Sequence, residues 1–134
     1  MPDPGSSTPQ LRKLGIVPGA RWSVVGADPA WAFDVAPDAE AEVAASDPAD
    51  VVVAFARTVV ELDEQLDANH QRIFPAGALW IAWPRRAAGH VSELGDTLVR
   101  ETGLARDHLV DTKVAALDHD WSALKFVWRR ERRG

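Results

Sequence analysis

VVVAFARTVVELDEQLDANHQRIFPAGALWIAW, Val51 to Trp83, decides the fold. It opens with Val51–Ala56, an unbroken apolar run of strand length. Such runs suit strands covered on both faces, as in parallel sheets. A helix is expected next, about Thr58 to Ile73. Val59, Leu62, Leu66 and Ile73 share one face at helical spacing, with Glu61, Asp63, Glu64 and Asp67 elsewhere. Pro75-Ala76-Gly77 ends it. Ala78 to Trp83 is a second buried strand. Strand, helix, strand with no hairpin signal between implies a crossover and parallel pairing.

The same alternation extends outward. Arg21 to Ala27 reads as a strand ending near Gly26. Asp28-Pro29-Ala30-Trp31 has the form of a helix start, with Asp28 as cap and Pro29 at the first helical position. Residues 34–47, rich in Ala, Asp and Glu, support only a short helix and a weak strand near Ala41 to Ala45. Downstream, Ser92 is the expected cap of a helix carrying Val91, Leu94, Leu98 and Thr102, with Gly103 as its stop. Val110 to Leu117 is an expected strand with Val110, Thr112, Val114 and Ala116 on one face. Asp118-His119-Asp120 forms a turn, and Trp121 to Trp128 returns antiparallel with Leu124, Phe126 and Trp128 on one face. The expected class is α/β: a three-layer αβα sandwich, mostly parallel, with a C-terminal antiparallel hairpin.

Composition fits one domain. The chain has 134 residues, 46% of them hydrophobic, and a net charge of -5. Residues 1–10, MPDPGSSTPQ, read as a disordered arm with neither the basic nor the apolar part of a secretion signal. Residues 11–130 form the domain and 131–134 a basic tail, continuing the arginines 129, 130, 132 and 133. No apolar run reaches the ~20 residues of a membrane helix. The acidic balance weighs against general nucleic-acid binding. The absence of cysteine suits a reducing, cytoplasmic setting.

Sheets of this kind hold ligands outside the carboxyl ends of their strands. Four segments are expected there: Gly26-Ala27-Asp28, Ala56-Arg57-Thr58, Trp83-Pro84-Arg85-Arg86 and the hairpin turn Asp118 to Ser122. The candidate ligand-binding residues are therefore Trp83, Arg85, Arg86, Trp121, Ser122 and Asp28. Trp83 and Trp121 make either a stacking platform or two covers for the core. Arg85 and Arg86 are either a bidentate grip on an anion or solvated loop charges. Ser122 reads as closing the hairpin, since no nucleophile elbow surrounds it. Asp118-His119-Asp120 reads as a turn before a metal or proton-transfer site. His90 lies beside a flexible loop, His70 reads as solvated, and His108 belongs to no motif. No spacing of a structural metal site is present, and no cofactor is expected.

The segments LGIVPGARWSVVGA, DVVVAFARTVVELDEQL, LWIAWPRRAAGHVSELGDTLVRETGL and LVDTKVAALDHDWSALKFVWRR resemble the domain-of-unknown-function family 3052. The likeness rests most on Trp83-Pro84-Arg85-Arg86 and on Trp121-Ser122-Ala123-Leu124-Lys125. This chain has Arg86-Ala87-Ala88-Gly89 where serines are frequent in that family. The layout also resembles a truncated class I methyltransferase, but the loop after the first strand, Val25 to Ala30, has one glycine and Pro29 in place of a glycine-rich cofactor cradle. The resemblance implies a fold and no activity. The functional expectation is a non-catalytic binding or regulatory domain for a small anionic or aromatic ligand. A transferase using His119, Asp120 and Asp28 is the second reading. A protein-interaction module, using the C-terminal strand and arginine tail as a homodimer, is the third.

Overall fold

The computed structural model describes residues 9–133. Its elements are α1 (Gln10–Leu14), β1 (Trp22–Val25), β2 (Val51–Phe55), α2 (Val59–Asn69), β3 (Ala78–Pro84), α3 (Asp96–Leu104), β4 (Leu109–Ala116) and β5 (Trp121–Trp128). Short 3-10 turns fall at Ala39–Ala41, His70–Ile73, Arg86–Ala88 and Arg130–Arg132. The strands form one sheet in the order β1-β2-β3-β5-β4. β1, β2 and β3 are parallel, and β5 runs antiparallel to both β3 and β4. The chain is thus α/β with a mixed sheet, parallel at its start and antiparallel at its C-terminal end.

Every residue of β2 is buried, which is why its sequence shows no polar alternation. Val52 and Ala54 face one side with Leu79, Ile81 and Trp83 of β3. Helices α2 and α3 cover that side, contributing Leu62, Leu66 and Val99. Val51, Val53 and Phe55 face the other side with Trp80 and Ala82. Here the cover is α1, through Leu14 and the following Ile16, together with irregular chain carrying Trp31 and Phe33. Trp80 is wholly buried, and its indole N–H donates to the Leu14 carbonyl at 3.0 Å, which fastens α1 to the sheet.

Several expected elements differ. The arm expected over residues 1–10 lies mostly outside the described residues, but Gln10 opens α1 and is buried. Its side chain donates to the Leu117 carbonyl at 2.8 Å and accepts from the Asp34 N–H at 2.9 Å. The helix expected from Asp28 does not form. Trp31 and Phe33 both turn inward, onto Phe55 and Trp22 respectively. Side chains two positions apart reach one side only from extended chain, because a helix would separate them. Residues 34–47 hold only the 3-10 turn and a single parallel bridge from Glu42 to Trp22.

Helix α3 starts at Asp96, after Gly95, so Ser92 does not cap it. The Ser92 hydroxyl instead accepts from the Leu94 N–H at 3.1 Å inside the preceding loop, and Val91 is fully exposed there. Gly103 is not a stop. It lies within α3, where an added Cβ would come 2.2 Å from Cε1 of Phe126. The expected alternation along β4 is broken by a bulge between Asp111 and Lys113, which drops Thr112 from the pairing. Leu109 accordingly joins the α2–α3 side while Ala115 packs on the opposite side.

Gly103 supplies a test of this packing. Intrinsic helix propensity favours alanine over glycine by ~1 kcal/mol. The contact with Phe126 reverses that sign. Gly103→Ala is expected to lower unfolding stability by about 1–3 kcal/mol through overpacking, measured by urea denaturation. A gain in stability would show that α3 does not lie this close to β5.

Candidate functional site

The carboxyl ends of β1, β2 and β3 meet the β4–β5 turn on one rim. The meeting follows from register. Trp83 pairs with Ser122 and Pro84 with Trp121, so the turn preceding β5 sits beside the end of β3. The Arg85 N–H then donates to the Asp120 carbonyl at 2.8 Å, one bond beyond the proline that cannot donate.

Asp118 closes the turn. Its Oδ1 accepts from the N–H groups of Asp120 at 2.8 Å and Trp121 at 2.9 Å. Its Oδ2 accepts from the Trp31 indole N–H at 2.9 Å. One carboxylate thus shapes the hairpin and ties it to the loop after β1. Ser122, expected to close the hairpin, is instead a strand residue paired on both sides.

The two arginines point to their own backbone. Arg85 donates to the carbonyls of His119 at 2.8 Å and Asp118 at 3.4 Å. Arg86 donates to the Ser92 carbonyl at 3.0 Å. Both guanidinium groups brace loops. A third rim arginine, Arg57, pairs with Asp28 and lies 5.1 Å over the Trp121 ring. Sequence reading placed Arg57 on the rim without giving it a role. Its stacking partner lies 64 positions away, so no local pattern marks it.

Trp83 and Trp121 are both buried, and they belong to the cores on opposite sides of the sheet. They are neighbours along the rim but do not form one platform. Trp121 packs edge-on against Phe55 with ring centroids 4.8 Å apart, and Trp31 meets Phe55 at 5.0 Å. Phe55 therefore spaces two indoles on the α1 side. Beside them opens a cleft of about 300 Å³ lined by Asp28, Ala30, Trp31, Ala32, Asp118, Asp120 and Trp121.

Three carboxylates line this cleft, Asp28, Asp118 and Asp120, of which Asp28 is paired with Arg57. His90 Nε2 lies 2.9 Å from Asp120 Oδ1, and His119 Nδ1 lies 3.3 Å from it. The hydrogen bond from His90, then that from His119, holds the exposed Asp120 carboxyl below its ordinary range. The start of α2 offers no anion site either. Thr58 caps the helix by accepting from the Glu61 N–H at 3.1 Å, and Glu61 accepts from the N–H of Arg57, the residue before the cap, at 2.8 Å. Glu93 accepts from the Val59 N–H. The chain's own oxygens hold the amide groups that would otherwise greet a phosphate. Gly26, the single glycine after β1, has φ +75, and an added Cβ would meet Gln65 at 2.6 Å and the Phe55 carbonyl at 2.9 Å. A side chain at this position would therefore collide with protein. Among the described residues, no group of three or more His, Cys, Asp or Glu side chains is placed to hold a metal, and no helix is long and apolar enough to cross a membrane.

Comparison with protein-family models, curated proteins and solved structures gives no match for this chain. The rim must be read from its own chemistry.

That chemistry gives Arg85 a structural role. Arg85→Ala is expected to cost about 0.5–1.5 kcal/mol of stability, the net worth of a typical hydrogen bond. Amide exchange at His119 and Asp120 should quicken while β2 stays protected. Unchanged exchange in the turn would return Arg85 to the pool of free, ligand-seeking cations.

Proposed function

We propose that this chain is a non-catalytic binding domain whose rim cleft takes a small organic cation, flat or carrying an aromatic group. The observation that carries this reading is the lining of the cleft. Asp118 and Asp120 share it with Trp31 and Trp121, Asp28 being already paired with Arg57, and among the described residues its lining includes no Lys or Arg. Carboxylates beside indoles favour a weakly hydrated cation, through charge and, where a ring face is reached, through its quadrupole. Arg57 over Trp121 is the same pairing made within the chain. The anionic ligand expected from Arg85 and Arg86 finds less support, since both guanidinium groups serve backbone carbonyls.

A shortened methyltransferase-like three-layer arrangement, and with it the likeness to family 3052, draws support from three parallel strands followed by an antiparallel hairpin. The transferase reading is weaker. The His119 side chain is 82% exposed and Asp28 is engaged by Arg57, so these polar groups surround no enclosed space. The interaction reading also loses ground at the tail. Arg129 donates to the Asp107 carbonyl and Arg133 to that of Trp128, so part of the arginine cluster folds back on the domain. A net charge of -5 and the lack of cysteine fit a cytoplasmic protein that does not bind nucleic acid.

Titration with benzyltrimethylammonium and with N-acetylarginine amide, followed by the indole N–H resonances, tests the reading. Shifts at Trp31 are expected, with about tenfold weaker binding in Asp120→Asn, or ~1.4 kcal/mol. Citrate should give none. Binding of citrate that disappears in Arg86→Ala would overturn the cation reading. Binding of S-adenosylmethionine that disappears in Asp28→Ala would favour the transferase.

A further inference from the structure

The pole opposite the rim carries a second cluster that the binding reading does not use. His70 begins the 3-10 turn after α2, and His108 directly precedes β4. His70 Nδ1 and His108 Nε2 lie 2.9 Å apart. Trp128, the last residue of β5, packs on His108 with centroids 4.2 Å apart and stacks more distantly on His70 at 6.2 Å. Phe74 closes the cluster edge-on to Trp128 at 4.7 Å. The Trp128 indole N–H donates to the His70 carbonyl at 2.8 Å, and the Arg129 N–H donates to the His108 carbonyl at 2.8 Å. Two imidazoles therefore join the end of α2 to the base of the β4–β5 hairpin.

A hydrogen bond between two ring nitrogens needs one bare nitrogen and one N–H. The neutral pair meets this. A first proton can enter on the outer nitrogen of the donating ring and leave the bond intact. A second has only the facing, bare nitrogen of the other ring to occupy. That would set two N–H groups against each other at 2.9 Å, so the rings must part. We propose that His70 and His108 form a proton-operated latch, closed while the pair holds at most one extra proton and open once it takes the second.

The surroundings set where the latch works. Asp67 of α2 faces His70 and favours its charged form, as Asp107 does for His108. Arg106, beyond α3, opposes charge on both rings, and Arg132 of the C-terminal turn opposes it on His108. Arg106 is itself engaged by Asp63 and Asp67, and Arg132 lies 3.8 Å from Asp107. Burial is the largest influence on each ring and pushes both below the ordinary 6.5. A histidine depressed in the folded chain lends stability that is complete above 6.5 and is lost as pH falls below it. The latch is therefore closed at neutral pH and opens on the acid side.

The test uses the full chain between pH 7.5 and 5. His70→Asn and His108→Gln each place an amide near the lost nitrogen without a titrating group. After correction for the intrinsic pH dependence of exchange, protection at residues 70–74 should fall about tenfold more from pH 7.5 to 5 in the wild type than in either variant, while β2 and β3 stay protected. Equal pH dependence in all three proteins would overturn the latch. If a variant does not fold, imidazole nitrogen resonances of the wild type decide. Two coupled titrations below 6.5 support the latch, and two independent ones at the ordinary value overturn it.

Discussion

Strand β5 lies antiparallel on β3, with Trp83 opposite Ser122 and Pro84 opposite Trp121. Almost everything at the rim depends on that pairing. It returns the hairpin turn to the edge where β1, β2 and β3 end, so Asp118 comes within reach of Trp31. It also fixes which side each indole takes, because neighbouring strand residues alternate sides. Trp83 goes under the helices and Trp121 goes to the α1 side. A slip of β5 by one residue would bring Trp121 to the side that Trp83 occupies and reverse the side taken by every other β5 residue.

Tryptophan is used here as a fastening as much as a filler. Four of the six indoles donate their N–H to a distant acceptor: Trp22 to the Asp38 carbonyl, Trp31 to Asp118, Trp80 to the Leu14 carbonyl and Trp128 to the His70 carbonyl. Each bond crosses at least 16 positions of chain and ends in a loop or at a helix terminus. A large apolar body holds the core while its one polar atom secures irregular chain. This explains how a long segment with little regular structure, residues 26–50, stays ordered against the sheet. Arg72 does the same from within, donating to the carbonyls of Ala44 and Asp47 while buried.

The sheet and helices α2 and α3 were legible because their cause is periodic; the five-residue α1 was not. Val51–Ala56, the spacing of Leu62 and Leu66, and the run before Pro84 each follow from which side faces the core. The hairpin was legible from Asp118-His119-Asp120 between alternating strands. What was not legible depends on partners remote in sequence. Nothing near Asp28 shows that Trp31 and Phe33 will both be drawn inward and forbid a helix. Nothing near Thr112 shows the bulge. The end of β3 lies beside the hairpin turn as expected, whereas the partners of Arg85 and Arg86 were not legible, because the same arginine grips an anion or its own backbone according to which carbonyls lie near it. His70 and His108, 38 positions apart, carried no signal at all as a pair.

The spatial assignment of the indoles tests this account most directly. A two-dimensional NMR spectrum of the protein in solution should show cross-relaxation from Phe55 ring protons to both Trp31 and Trp121. It should show none between the indoles of Trp83 and Trp121. Direct Trp83–Trp121 contacts would place both rings on one side of the sheet. That result would contradict the register of β5 and dissolve the acidic cleft built upon it.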